Sequence, residues 1–216
     1  MKSIFLVLFF LTAFVTNSHA QGKLFKSGAV KLEYRPSPLF YMFNESATNK
    51  AGSPGWLIVR VKYSPVSRKS GSKILWLDDV TMEIELVIPG NYETKDVTVL
   101  LKGKTVFWSI PMDGKTHQAM GFVPPQVISR LARKGTKIEI SKMIARVTFY
   151  KAGRKMIMRA YSSSGSRVRN YFSSKVDSNV SSGLLIVNDI VMPRNKTPWG
   201  VFNFDLHDVI KPDPQK

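Results

Sequence analysis

The chain has 216 residues, 44% hydrophobic and 11% aromatic, which is enough to bury a real core and excludes an intrinsically disordered protein. Lysine and arginine number 32 against 15 acidic residues, and the formal charge of +17 favours polyanionic partners. Cysteine is absent, which excludes disulfides, thiolate metal sites, a cysteine nucleophile and a lipid-modified N-terminal cysteine.

Residues 1–20 read as a secretory signal peptide. Lys2 supplies the positive start, and Ile4 to Val15 form an apolar run interrupted by Thr12. Ser18 and Ala20 then place small residues before a cleavage site after Ala20. The run is about 12 residues, short of the ~20 that span a bilayer. The chain is therefore expected to be exported, with no transmembrane segment once the signal is removed. Its location would be periplasmic, outer-membrane-associated or extracellular. Export turns a basic surface away from intracellular nucleic acid and toward extracellular DNA, anionic lipid, lipopolysaccharide or acidic glycans.

Beyond Gln21 the dominant hydrophobic period is two, as in half-buried strands. Leu57, Val59, Val61 and Tyr63 form one apolar face, with Arg60 and Lys62 opposite, and the strand ends before Pro65. Val80, Met82, Ile84, Leu86 and Ile88 form the clearest face; Pro89-Gly90 read as its stop. Val97 to Leu101 and Thr105 to Ile110 flank Lys102-Gly103-Lys104 and read as a hairpin. Pro124-Pro125 open a segment with Val127, Ile128, Leu131 and Ala132 at helical spacing. Arg130, Arg133 and Lys134 suit its C-terminal end, and Gly135 suits its cap, so one short helix is expected over about 124–134.

Met143, Ala145, Val147 and Phe149 then pair with Met156, Met158 and Ala160 across Ala152-Gly153. A bulge is expected near Ser141-Lys142, where the phase slips. The Ser-rich tract from Ser162 to Ser182 reads as a long loop. Leu184 to Val191 and Val201 to Ile210 complete the strands. The expectation is an all-β sandwich of one domain, residues 21–216, with that single helix.

Chemistry is scarce in the pattern. Asp205 and His207 share a strand face, but it is the face opposite Phe202, Phe204 and Leu206, where polar residues are solvated. Asp78-Asp79 precede a strand without the further ligands of a calcium loop. No nucleophile elbow, Walker loop or dinucleotide glycine pattern occurs. Accordingly no residue is assigned to catalysis, cofactor or metal, and a hydrolase is only a minor alternative. The basic residues are more suggestive: Arg68, Lys69 and Lys73; Lys102 and Lys104; Arg130, Arg133 and Lys134; Arg154 and Lys155; Arg167 and Arg169. All are read at turns or element ends, where they could contact a polyanion. A partner strand could instead add to a sheet edge, and Trp56, Ile58, Arg60 and Lys62 are read as that edge, with the hairpin from Met143 to Tyr161 as a second.

The runs Trp56-Leu-Ile-Val-Arg-Val-Lys-Tyr63, Trp76-Leu-Asp-Asp-Val-Thr-Met-Glu-Ile-Glu-Leu86 and Val147-Thr-Phe-Tyr-Lys-Ala-Gly-Arg-Lys-Met156 resemble secreted proteins of Verrucomicrobia, of the Akkermansia type, encoded beside type IV pilus genes. The resemblance implies an immunoglobulin-like β-sandwich, an envelope or pilus-associated protein as partner, and no catalysis; it transfers no functional residues. The N-terminus lacks the processing Gly, the Phe after it and the fifth-position Glu of type IV pilin precursors. An accessory role is thus expected rather than a fibre subunit. The functional expectation is an exported, non-enzymatic interaction protein of the cell envelope, with a basic polyanion-binding module as the alternative.

Overall fold

A computed structural model describes residues 24–36, 55–92, 95–131, 139–151, 154–162, 166–178, 184–201 and 210–211. The expected signal, the Ala152-Gly153 turn and all but the two end residues of the expected strand Val201 to Ile210 lie outside these; Val201 ends a 3-10 turn and Ile210 forms an isolated bridge to Phe107. The strands are β1 (Phe25–Arg35), β2 (Trp56–Pro65), β3 (Lys69–Ser70), β4 (Lys73–Ile74), β5 (Trp76–Tyr92), β6 (Lys95–Pro111), β7 (His117–Val123), β8 (Ile144–Lys151), β9 (Arg154–Tyr161), β10 (Leu184–Val187) and β11 (Met192–Pro193). Two short helices join them, α1 (Pro125–Leu131) and α2 (Ser166–Tyr171).

One sheet has the order β1-β2-β7-β11, the other β10-β6-β5-β8-β9, and β3 pairs with β4 outside both. Neighbours are antiparallel apart from β10, which runs parallel to β6. The period-two faces are the ones that meet. Val59, Val61 and Tyr63 from the first sheet share a core cluster with Val80, Met82, Ile84, Leu86 and Ile88 from the second. Burying each such side chain contributes roughly 1.5–3 kcal/mol. The fold is all-β, as the alternation requires.

An aromatic knot ties the sheets together at one end. Tyr63 of β2 lies 4.9 Å from Phe149 of β8, 5.7 Å from Phe25 of β1 and 6.4 Å from Phe107 of β6, centroid to centroid. Outer faces are covered too. Trp56, Ile58 and Phe122 pack under Trp199, and Val87 and Leu100 pack under Val168 and Phe172.

Several expectations are corrected. Lys102-Gly103-Lys104 is no turn; β6 runs straight through it, and Gly103 is there because another backbone passes against it. Pro89-Gly90 do not stop β5, which continues to Tyr92 beyond the end of its β8 partner at Val87, where a missing donor is tolerated. A 3-10 turn at Ile140–Lys142 replaces the expected bulge. Within the Ser-rich tract stands α2, continued by a π-helical turn at Phe172–Val176. The strand at Leu184 ends at Val187. β1 and β7 were not read from the pattern at all.

The edge assignment is corrected as well. Trp56, Ile58, Arg60 and Lys62 lie on β2, whose backbone is paired with β1 on one side and β7 on the other, so no partner strand can add there. The edge strands are β1 and β11 in one sheet and β10 and β9 in the other, and β1 lies against β9. β1 carries Lys26, Lys31, Glu33 and Arg35, charges that discourage edge-to-edge pairing.

Candidate functional site: a basic and aromatic end

At the end of the sandwich above the aromatic knot, the chain leaves β2 and turns back through β3 and β4. Ser70-Gly71-Ser72 make the tight turn, with Gly71 at φ +62°, a conformation that glycine adopts without strain. Three backbone hydrogen bonds anchor the base of this small hairpin. The Arg68 N–H donates to the Met112 carbonyl at 2.8 Å, the Leu75 N–H to the Arg68 carbonyl at 3.0 Å, and the Met112 N–H to the Leu75 carbonyl at 2.8 Å. Every residue from Ser67 to Trp76 is exposed.

The turn Asp113–Thr116 stands beside it, and Gly114 comes so close that an added Cβ would lie 3.0 Å from the Ser67 Cβ. Asp113 holds this turn by accepting from the Lys115 N–H at 2.9 Å and contacting His117 Nε2 at 3.0 Å. Burial pushes the Asp113 carboxyl up, but the His117 and Lys115 bonds and charges outweigh it and hold it below the usual range. Lys115 is thereby fixed, exposed, on the same end as Arg68, Lys69 and Lys73. It was absent from the sequence candidates because only tertiary packing brings it there.

Large apolar groups share this end. Trp76 is 60% exposed and Trp108 56%; Ile74 and Leu75 are about two-fifths exposed. Their outward aim follows from register. Leu77 pairs with Ile110 and Val80 with Phe107, and all four are in the core, so Trp76 and Trp108 face away from it. Trp108 follows inward Phe107 and points outward by alternation; two residues separate the inward positions on each strand, and Asp79 takes φ +52° where the phase shifts. Lys211 Nζ lies 5.5 Å from the Trp108 ring centroid and 2.8 Å from Asp79 Oδ1. Asp78 is exposed beside them.

The structure does not merge all the predicted cations into one patch. Arg68, Lys69 and Lys73 belong to the exposed end; Arg154 and Lys155 begin β9, and their side chains, like that of Arg167, lie outside the described residues. Arg133 and Lys134 lie outside them altogether, as do Asp205 and His207. Lys102 and Lys104 are not at a turn but mid-strand on the outer face, with Nζ 3.2 Å from Glu85 Oε1 and 3.8 Å from Glu83 Oε1. Arg130 is exposed on α1, which packs near the opposite end against β5. Arg169 is exposed, 5.9 Å from the Tyr161 ring centroid.

A buried ion set was also invisible in the pattern. Arg146 Nε donates to Glu85 Oε2 and its Nη1 to Asp177 at 2.8 Å, and its guanidinium lies 4.6 Å from the Phe172 ring centroid. Burial alone would lower its pKa; the bonds and charges of Glu85 and Asp177 raise it instead. This set pins the helical segment to the sheet and is structural. Elsewhere a groove of about 760 Å³ runs between β6 and the Asp189–Lys196 segment, lined by Lys104, Lys196 and Lys211 among others. No described helix is long and apolar enough to cross a membrane.

Fold and exposed end together define an all-β, two-sheet protein carrying a basic and aromatic surface at one end. A protein-family model matches residues 16–213, and the chain belongs to that family. A crystal structure of a protein from Akkermansia muciniphila is similar in fold, with a TM-score of 0.61 and 15% identity over 87% of this chain and 95% of that one. No curated protein matches.

Proposed function

We propose that this is an exported, non-enzymatic interaction protein of the cell envelope that works by attachment. It holds the envelope through its basic and aromatic end and offers the rest of the sandwich to a pilus-associated partner as an assembly accessory. The observation that carries the reading is the concentration of Ile74, Leu75, Trp76 and Trp108 beside Arg68, Lys69, Lys73 and Lys115. Water-exposed tryptophan and aliphatic side chains standing together mark a surface that becomes covered in use. The sequence resemblance to secreted proteins encoded beside type IV pilus genes supports the pilus link.

The polyanion reading draws on the same lysines, and the two differ in whether the apolar groups take part. Fractionating cells that carry Trp76→Ser/Trp108→Ser in place of the native residues tests the attachment. The expected result is movement of the protein from the envelope fraction to the soluble fraction. Retention in the envelope at native level would sink the proposal.

A further inference from the structure

We infer that the counterpart of this end is an anionic phospholipid bilayer. The inference rests on the attachment reading above and names what the surface attaches to. Ile74, Leu75 and Trp76 are consecutive and exposed at the foot of a hairpin that belongs to neither sheet. Trp108 stands on the same outward face, about 10 Å further along the strands. Tryptophan, with an apolar ring and one N–H, settles at the boundary of headgroup and acyl chain, where isoleucine and leucine reach hydrocarbon.

Lys69, Lys73 and Lys115 flank this apolar group, and a lysine stem lies along apolar surface while its ammonium meets phosphate. The pairing of an aliphatic foot with cationic flanks decides between partners. A soluble acidic glycan satisfies the lysines but offers no apolar phase to Ile74 and Leu75. A bilayer satisfies both. Of the acidic neighbours, Asp79 is already paired with Lys211, which leaves Asp78 as one carboxylate against the cations of this end.

The path of the chain agrees. The Leu24 carbonyl accepts from the Val66 N–H at 2.8 Å, so the described chain enters the sandwich at this same end. With cleavage expected after Ala20, three residues separate Leu24 from the signal, four Cα steps or at most ~14 Å of chain. Export therefore delivers this end to the bilayer first.

The test uses the full exported chain and vesicles of phosphatidylcholine, alone or mixed with phosphatidylglycerol, read by co-sedimentation and tryptophan emission. Binding is expected to the mixed vesicles, with a blue shift, and to weaken steeply with salt. Lys69→Gln/Lys73→Gln should weaken it roughly 25-fold, about fivefold per charge. Trp76→Ser should weaken it roughly tenfold and halve the blue shift, on the order of one ring in two. Unchanged melting temperatures keep these variants informative, and Asn195→Ala, exposed on the Arg194–Lys196 turn, serves as control. Absence of binding to mixed vesicles overturns the inference. Binding to heparin with no emission shift, and none to vesicles, assigns the surface to a soluble polyanion and also overturns it. If vesicles fail while Trp76→Ser/Trp108→Ser still releases the protein from cells, attachment stands and the lipid assignment falls.

Discussion

Gly103 and Val191 approach so closely that a Cβ on Gly103 would overlap the Val191 carbonyl. The Ile190 and Val191 N–H groups both donate to the Lys102 carbonyl, at 3.0 and 3.1 Å, which draws this backbone against β6. Gly121 meets the same residue from the facing sheet, its absent Cβ lying 2.7 Å from Val191 Cγ1. One valine thus sits between two glycines, one on each layer.

The two glycines should respond differently. Gly103→Ala collides with backbone and should cost about 3 kcal/mol or more, whereas Gly121→Ala collides with side-chain ends of Val191 and Ile84 and should cost about 1–3 kcal/mol. Val191→Ala should partly rescue Gly121→Ala and leave Gly103→Ala unimproved, because it removes methyls and not the carbonyl. Urea midpoints of the two double variants decide this; equal rescue would refute the backbone collision.

Arg146 is buried among Glu85, Asp177 and Phe172. Arg146→Ala leaves buried Glu85 with the part-exposed Lys102, 3.2 Å away, as its remaining cation and should cost about 3 kcal/mol, whereas Arg146→Met/Glu85→Leu removes both buried charges and should cost far less. Hydrogen exchange should show amides of 166–178 losing protection in Arg146→Ala before the sheet does. Simultaneous loss of protection in both would argue against the pin.

Acid should loosen the fold through two carboxyls. Burial pushes Glu33 up, but the Lys31 hydrogen bond and the charges of Arg60, Lys31 and Arg35 hold it below 4.5; Asp113 is held below 3.8. Each binds its proton more weakly folded than unfolded, so each adds stability above the unfolded pKa that disappears as pH falls through the folded one. Stability should therefore fall as pH drops below about 4, and Glu33→Gln should flatten that limb, read from urea midpoints at stepped pH.

The core and the exposed end should separate cleanly. Phe149→Ala opens a cavity in the aromatic knot and should cost about 3–5 kcal/mol. Trp76→Ser, on a residue more exposed than buried, should stay within about 0.5 kcal/mol of the native chain by thermal melt. A large loss in Trp76→Ser would show that the ring is structural.

The alternation of β5 was legible because successive side chains point to opposite faces, and Val80, Met82, Ile84, Leu86 and Ile88 all reach the core between the sheets; Val87 departs from it, an apolar residue of the outer face covered by Phe172. β1 and β7 were not, because Lys26-Ser-Gly-Ala and the central Gly121 dilute the period; Gly121 is small to admit Val191, a contact seventy residues away. Lys102-Gly103-Lys104 carries turn residues for the same kind of reason. Of the exposed end, Arg68, Lys69 and Lys73 could be named from their turn, but Trp108 and Lys115 could not.

By itself the amino-acid sequence determined the all-β class, the inward faces of the two main strands, the short helix near Pro125 and the lack of any disulfide. These depend on period, propensity and composition, which are properties of neighbours along the chain. Tertiary structure alone decided that β2 is interior, that Arg146 is buried with two carboxylates, and that Trp76, Trp108, Lys73 and Lys115 share one end. Those facts depend on which segments meet, and burial of two sheet faces against each other makes that choice for the whole chain at once.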